Sequence, residues 1–102
     1  MNEVIFSIKD IENNAGNASE FLKVFSNKSR LLILCTLFNG KKTVNEIVLL
    51  TKVKQSFVSK NLMLLKKHQV VTANRQGKYI YYEIADNTVK EIIGILYAKF
   101  CK

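Results

Sequence analysis

At Val70 the hydrophobic pattern of this chain changes period, and by Asp86 it has changed back. Upstream, apolar side chains recur three and four residues apart, the spacing of amphipathic helices. Val70, Val71 and Thr72, then Tyr79, Ile80, Tyr81, Tyr82 and Ile84, are instead the β-branched and aromatic residues that favour strands. Arg75, Gln76, Gly77 and Lys78 separate the two runs as a hairpin loop. The chain therefore reads as mainly α with one β-hairpin. It contains no proline, so its helix boundaries must be read from caps and glycines.

Phe21, Leu22, Val24 and Phe25 mark a first amphipathic helix over roughly residues 10 to 25, weakened by Gly16 and several asparagines. Ser26 or Asn27 can cap a second helix, with Leu31, Leu32, Leu34, Cys35 and Phe38 as its apolar face and a stop at Asn39 and Gly40. Thr43 and Glu46 form a capping box that opens a short third helix, with Val44, Ile47, Val48 and Leu50 facing inward. A break from Thr51 to Lys54 leads to a fourth helix from about Gln55, whose inward stripe is Phe57, Val58, Leu62, Met63 and Leu65. After the hairpin, Asp86, Asn87 or Thr88 caps a last helix. Thr88 and Glu91 suggest a second capping box there, and Val89, Ile92, Ile93, Leu96 and Phe100 form the apolar side.

The order α-α-α-α-β-β-α, with a short helix and a sharp turn before the fourth helix, is a winged helix-turn-helix. In such a fold one helix lies in the major groove with its first residues at the base edges, the preceding helix crosses the backbone, and the hairpin tip reaches phosphates or the minor groove. Here the groove-facing residues are Lys54, Gln55, Ser56, Ser59, Lys60 and Asn61, and the wing tip carries Arg75, Gln76 and Lys78. Gln and Asn can pair two-pronged with adenine, Lys can reach guanine, and Ser supplies phosphate or base contacts.

The charge distribution agrees with this placement. The chain carries a formal net charge of +8, yet between Ile47 and Tyr82 it has no acidic residue at all. Lys52, Lys54, Lys60, Lys66, Lys67, Arg75 and Lys78 put +7 into that window, which leaves +1 for everything else. A polyanion is the natural partner, and duplex DNA suits it better than anionic lipid because the basic residues run from a helix into a strand pattern.

At 102 residues a single domain is expected, with a modest core that a partner subunit would help to complete. The longest apolar run, Leu31 to Cys35, is far too short to cross a bilayer, and no membrane partner is expected. Glu3 and Asp10 stand where a signal peptide would carry basic residues, so a cytoplasmic location with reduced thiols is expected. Two cysteines in such a compartment are buried apolar residues or chemically active ones rather than a structural staple.

Three stretches together resemble the ArsR/SmtB family of dimeric winged-helix repressors, over essentially the whole chain. FSNKSRLLILCTLFNG from Phe25 to Gly40 is similar to the family's second helix, KQSFVSKNLMLLKKHQVV from Lys54 to Val71 to its recognition helix, and RQGKYIYYEIAD from Arg75 to Asp86 to its wing. Lys28 stands where many relatives have proline, a position that tolerates either. The resemblance implies one domain over residues 1–102 and a homodimer built from the first and last helices. It also implies an operator that is an imperfect inverted repeat, and release by an inducer.

Metal-sensing relatives carry cysteine pairs in the short helix or Asp and His ligands along the last one. Here the short helix reads Thr43-Val44-Asn45-Glu46-Ile47-Val48, the last helix offers Asp86 and Glu91 without histidine, and His68 ends the recognition helix. Zinc needs four N, S or O ligands, so no familiar metal site and no cofactor is expected, with Cu(I) on two thiolates left open. Cys35 in LLILC and Cys101 in KFC are placed like the two cysteines of the sulfide-responsive BigR/SqrR-type subgroup. That likeness implies that they are the sensing thiols and that reactive sulfur or an oxidant is the inducer. Lys99 and Lys102 would favour a thiolate at Cys101, whereas a helix C-terminus opposes one. No motif places a third orienting group beside a thiol or His68, so an enzyme is not expected. A dimeric anti-silencing or adaptor protein, and a thiol-independent or atypical metal-responsive regulator of the same fold, are the competing readings.

Overall fold

The computed structural model describes residues 5–101; Glu3 and Lys102 lie outside them. The elements run α1 (Ile8–Leu22), a 3-10 turn (Lys23–Phe25), α2 (Lys28–Phe38), α3 (Val44–Thr51), α4 (Gln55–Lys67), β1 (Val71–Gln76), β2 (Tyr79–Ile84) and α5 (Asn87–Phe100). This is the expected order, five helices with a two-stranded antiparallel hairpin before the last. No helix among the described residues is long and apolar enough to cross a membrane.

The core lies where α2, α3, α4, the base of the hairpin and α5 meet. Ile33, Leu34 and Leu37 of α2 are buried there with Ile47, Val58, Leu62, Leu65, Val71, Ile84, Val89 and Ile93. Each such side chain contributes roughly 1.5–3 kcal/mol through burial. The α2 face is therefore rotated from the expected one: Ile33 and Leu37 replace Leu32, Cys35 and Phe38, which stay at least partly exposed. The same correction applies to Leu50, Phe57 and Met63. On α4 the residues that point inward are Val58, Leu62 and Leu65, which leaves Phe57 and Met63 outside despite their apolar chemistry.

Helix ends follow side-chain chemistry. Asn27 caps α2 by accepting from the Arg30 N–H at 3.1 Å. The α3 box is closed from both sides, Thr43 Oγ1 accepting from the Glu46 N–H at 3.2 Å and Glu46 Oε1 from the Thr43 N–H at 2.9 Å. At α5 the cap is Asp86, which accepts from the Thr88 and Val89 N–H groups, so the expected Thr88–Glu91 box is not formed. A carboxylate one residue upstream of Asn87 takes the free helix amides first.

The hairpin is longer and its loop shorter than expected. Gln76 pairs with Tyr79, so Arg75 and Gln76 belong to β1 and the turn is only Gly77 and Lys78. Gly77 has φ +64°, the left-handed conformation that a two-residue hairpin turn requires at its first position. At the hairpin base, Lys42 exchanges two backbone hydrogen bonds with Tyr82, at 3.0 and 2.8 Å, and so anchors the loop before α3 to β2.

Helix α1 begins at Ile8 rather than near residue 10, and its last expected turn is the 3-10 segment, where Val24 is buried. None of the fifteen residues of α1 is buried. Ile8, Ile11 and Leu22 stay exposed on it.

Candidate nucleic-acid interface and thiol pair

Helix α4 starts sharply because α3 ends on Lys52 in the left-handed conformation, φ +61°, two residues before the Lys54 N-cap. Thr51 fixes this turn: its hydroxyl donates to the Ile47 carbonyl at 2.7 Å and accepts from the Val53 N–H at 3.2 Å. With Val58, Leu62 and Leu65 held in the core, helical spacing puts Ser56, Lys60, Met63 and Lys67 on the opposite side of α4. Ser59 borders this row, and Gln55 is the first residue of the helix.

Lys54, Gln55, Ser56, Ser59 and Lys60 are all exposed. Asn61 differs from them. It is half-buried, and its amide nitrogen donates to the Phe57 carbonyl at 2.9 Å, inside its own helix. Met63 is 74% exposed on the outward row, a position the apolar pattern had assigned to the core.

On the hairpin the strand register sends Gln76, Tyr79 and Tyr81 to one face and Arg75, Ile80 and Tyr82 to the other. The expected wing-tip group is thus divided: Arg75 and Gln76 point to opposite faces, and Lys78 sits in the turn. The face that carries Tyr79 and Tyr81 is ordered. Lys78 Nζ lies 5.4 Å from the centre of the Tyr79 ring, the Tyr79 and Tyr81 rings are 6.4 Å apart, and Lys41 Nζ lies 5.0 Å from the centre of the Tyr81 ring. Lys41 also donates to Gln76 Oε1 at 3.1 Å. Neither Lys41 nor the tyrosine pair was singled out in the sequence. Lys41 is separated from its partners by at least 35 residues, and no local pattern reports such a contact.

The two thiols belong to other elements, α2 and the end of α5. Cys35 is on the outer side of α2 and lines a cavity of about 440 Å³ with Leu32, Phe38, Leu50, Ile93 and Tyr97 among its walls. Cys101 is the exposed C-cap of α5, its N–H bonded to the Tyr97 carbonyl. Partial burial pushes the Cys35 thiol above the ordinary thiol range, and the nearby Cys101 adds to that shift. Lys99 turns its ammonium toward the Phe100 ring, at 5.6 Å.

His68 is the exposed C-cap of α4, as its place at the helix end suggested. Among the described residues no three His, Cys, Asp or Glu side chains gather where a metal ion could be held.

Comparison with known proteins adds a lineage to this geometry. A family profile described as "Bacterial regulatory protein, arsR family" matches residues 27–73. The biofilm growth-associated repressor of Agrobacterium fabrum is 31% identical over 91 residues, which cover 89% of this chain and 78% of that protein. The crystal structure of the transcriptional repressor BigR from Xylella fastidiosa superposes with a TM-score of 0.85 at 28% identity, covering 95% of this chain and 99% of that one. A homodimeric winged helix-turn-helix DNA-binding domain from Mycobacterium bovis, described as a possible ArsR-family transcriptional regulator, superposes with a TM-score of 0.73 at 26% identity, covering 93% and 88%.

Proposed function

Because the chain belongs to the arsR family of bacterial regulatory proteins, we propose that it is a homodimeric repressor, one that holds operator DNA with α4 and the wing and releases it when Cys35 and Cys101 are joined through sulfur. The observation that carries this reading is electrostatic. The window from Ile47 to Tyr82, which has seven cations and no carboxylate, supplies both the outward row of α4 and the wing. Phosphates neutralised there release their counterions, which drives association.

Within that surface the residues divide by chemistry. Gln55 has the two-pronged amide that suits adenine, Ser56, Ser59 and Lys60 suit phosphate or guanine, and Met63 offers an apolar contact to a thymine methyl. Lys54, Arg75 and Lys78 are backbone contacts. Gln76 keeps its amide N–H donors for a phosphate while its oxygen accepts from Lys41, whereas Asn61 reaches a base only by giving up its bond to the Phe57 carbonyl, at a net cost of about 1 kcal/mol.

A second subunit accounts for the exposed helices. Ile8, Ile11, Ala15, Ala18 and Leu22 recur at helical spacing along α1, and a helix of this length is marginal in water without a packed face. Covering that stripe, together with Ile95 and Phe100 of α5, with the same elements of a partner gives a two-fold dimer whose two α4 helices meet an inverted repeat. The homodimeric neighbour from Mycobacterium bovis supports a two-subunit assembly.

The thiols form the switch. Cys101, exposed at the helix end, attacks a sulfane sulfur and expels the thiolate bonded to it, or attacks a peroxide and expels hydroxide to leave a sulfenic acid. Cys35 then displaces hydrosulfide from the persulfide or polysulfide, or water from the sulfenic acid, closing a disulfide or, from a polysulfide, a longer sulfur bridge. That bridge ties α5, part of the dimer surface, to α2, which supports the reading head. The Cys35 pKa, raised mainly by burial and further by the Cys101 thiol, is in keeping with the pairing.

Gel-shift competition tests the DNA-binding role. With a duplex selected by the protein from a random library, the reduced protein should prefer that duplex to its scrambled version by a factor of roughly 10³ or more, and should lose affinity steeply as salt rises. An adaptor protein would bind both duplexes equally weakly.

A further inference from the structure

We propose that Lys41 is a contact to the DNA phosphate backbone, outside both the recognition helix and the wing tip, and that Tyr81 and Gln76 hold it in place. This inference rests on the wing reading above. A two-stranded hairpin is marginally stable alone, and a free lysine gives up considerable rotamer entropy when it engages a ligand. Here both costs are reduced before DNA arrives. Backbone pairing of Lys42 with Tyr82 fixes the loop against β2. From there Lys41, Tyr81, Tyr79 and Lys78 follow one another along a single wing face, each in contact with the next.

The ammonium of Lys41 is held but not neutralised. Its bond to Gln76 Oε1 uses one of three donors, and the ring beneath it is uncharged. The one ion pair among the described residues is Lys23–Glu20, far along the chain, and Glu46 Oε1 is engaged in the α3 box. Lys41 also lies two residues before the Thr43 cap of α3, the helix that crosses the backbone in this fold. A cation there, beside Gln76 and on the face that carries Tyr79 and Tyr81, adds a charge from the loop before α3 to those of the wing.

The test is fluorescence anisotropy across a salt series, with a fluorescein-labelled duplex of about 30 base pairs, long enough for two half-sites one turn apart. Lys41→Ala should flatten the slope of log K against log salt by about 0.9 per subunit, and Lys41→Arg should restore it. Tyr81→Phe should bind like the wild type because only the ring is used. Tyr81→Leu should bind several-fold more weakly with an unchanged slope, since the cation remains but is no longer held. A wild-type slope for Lys41→Ala beside a flattened one for Lys78→Ala would overturn this inference and leave the wing reading standing. Wild-type slopes for both variants would overturn the wing reading as well.

Discussion

Ile95→Glu is expected to convert the protein to a monomer and to weaken its binding to an inverted-repeat duplex by a factor of roughly 10² to 10⁴. Ile95 is 66% exposed on α5 and takes no part in the core, where Val89 and Ile93 hold that helix, so the substitution leaves the subunit folded. It places two carboxylates at the proposed two-fold interface, where they lose water without gaining a partner. Once the subunits separate, each half-site is bound independently, and the gain from linking two modules, roughly 10² to 10⁴ in affinity, disappears. Sedimentation velocity and anisotropy on the same sample report both effects. Circular dichroism should be unchanged. A variant that remains dimeric would show that the exposed faces of α1 and α5 are not the subunit contact.

Lys60→Glu is expected to weaken binding to every duplex by roughly 100-fold, about 2.7 kcal/mol. Lys60 stands in the middle of the outward row between Ser56 and Met63, inside the longest stretch of the sequence without a carboxylate. The substitution removes a phosphate contact and sets a negative charge against the duplex, where like-charge contact costs several kcal/mol. Because the position is exposed and unpaired with any buried group, thermal stability should stay within about 0.5 kcal/mol of the wild type. A loss confined to one duplex sequence would instead assign Lys60 to base reading.

Local chemistry made the scaffold of this site legible. The Thr43–Glu46 box, the break before Gln55 and the change of period at Val70 each depend on neighbouring residues, and each lies where the pattern put it. Rotation of a helix about its axis was harder to read. Leu50, Phe57 and Met63 are as apolar as the residues beside them, and only the positions of the other elements decide that Ile47, Val58 and Leu62 face the core. Excess apolar residues on α2, α3 and α4 therefore widened the expected inward stripes, and Met63 was hidden among them although it lies on the outward row. At the last helix the Thr88–Glu91 spacing fitted a box as well as Asp86 fitted a cap, and the earlier carboxylate prevailed by accepting from two amides.

The wing illustrates the other limit. Four residues without apolar character looked like a four-residue loop, whereas cross-strand pairing extends through Gln76 and leaves two in the turn. The Lys41 contacts required the fold itself, because they join the loop before α3 to a strand almost forty residues later. The cysteines differ from both cases: likeness to a subgroup of the family, rather than any local pattern, singled out Cys35 and Cys101, and partial burial, more than the Cys101 thiol, pushes the Cys35 pKa up.

In the proposed switch, sulfur chemistry at Cys35 and Cys101 loosens DNA held on a cationic surface. The most direct measurement is the dissociation constant for the selected duplex, taken on reduced protein and on the same protein after polysulfide treatment, with intact-mass and peptide analysis of each sample. A Cys35–Cys101 linkage accompanied by at least tenfold weaker binding, about 1.4 kcal/mol, and by no change in Cys35→Ser is the predicted result. Complete modification of both thiols with an unaltered dissociation constant would contradict it.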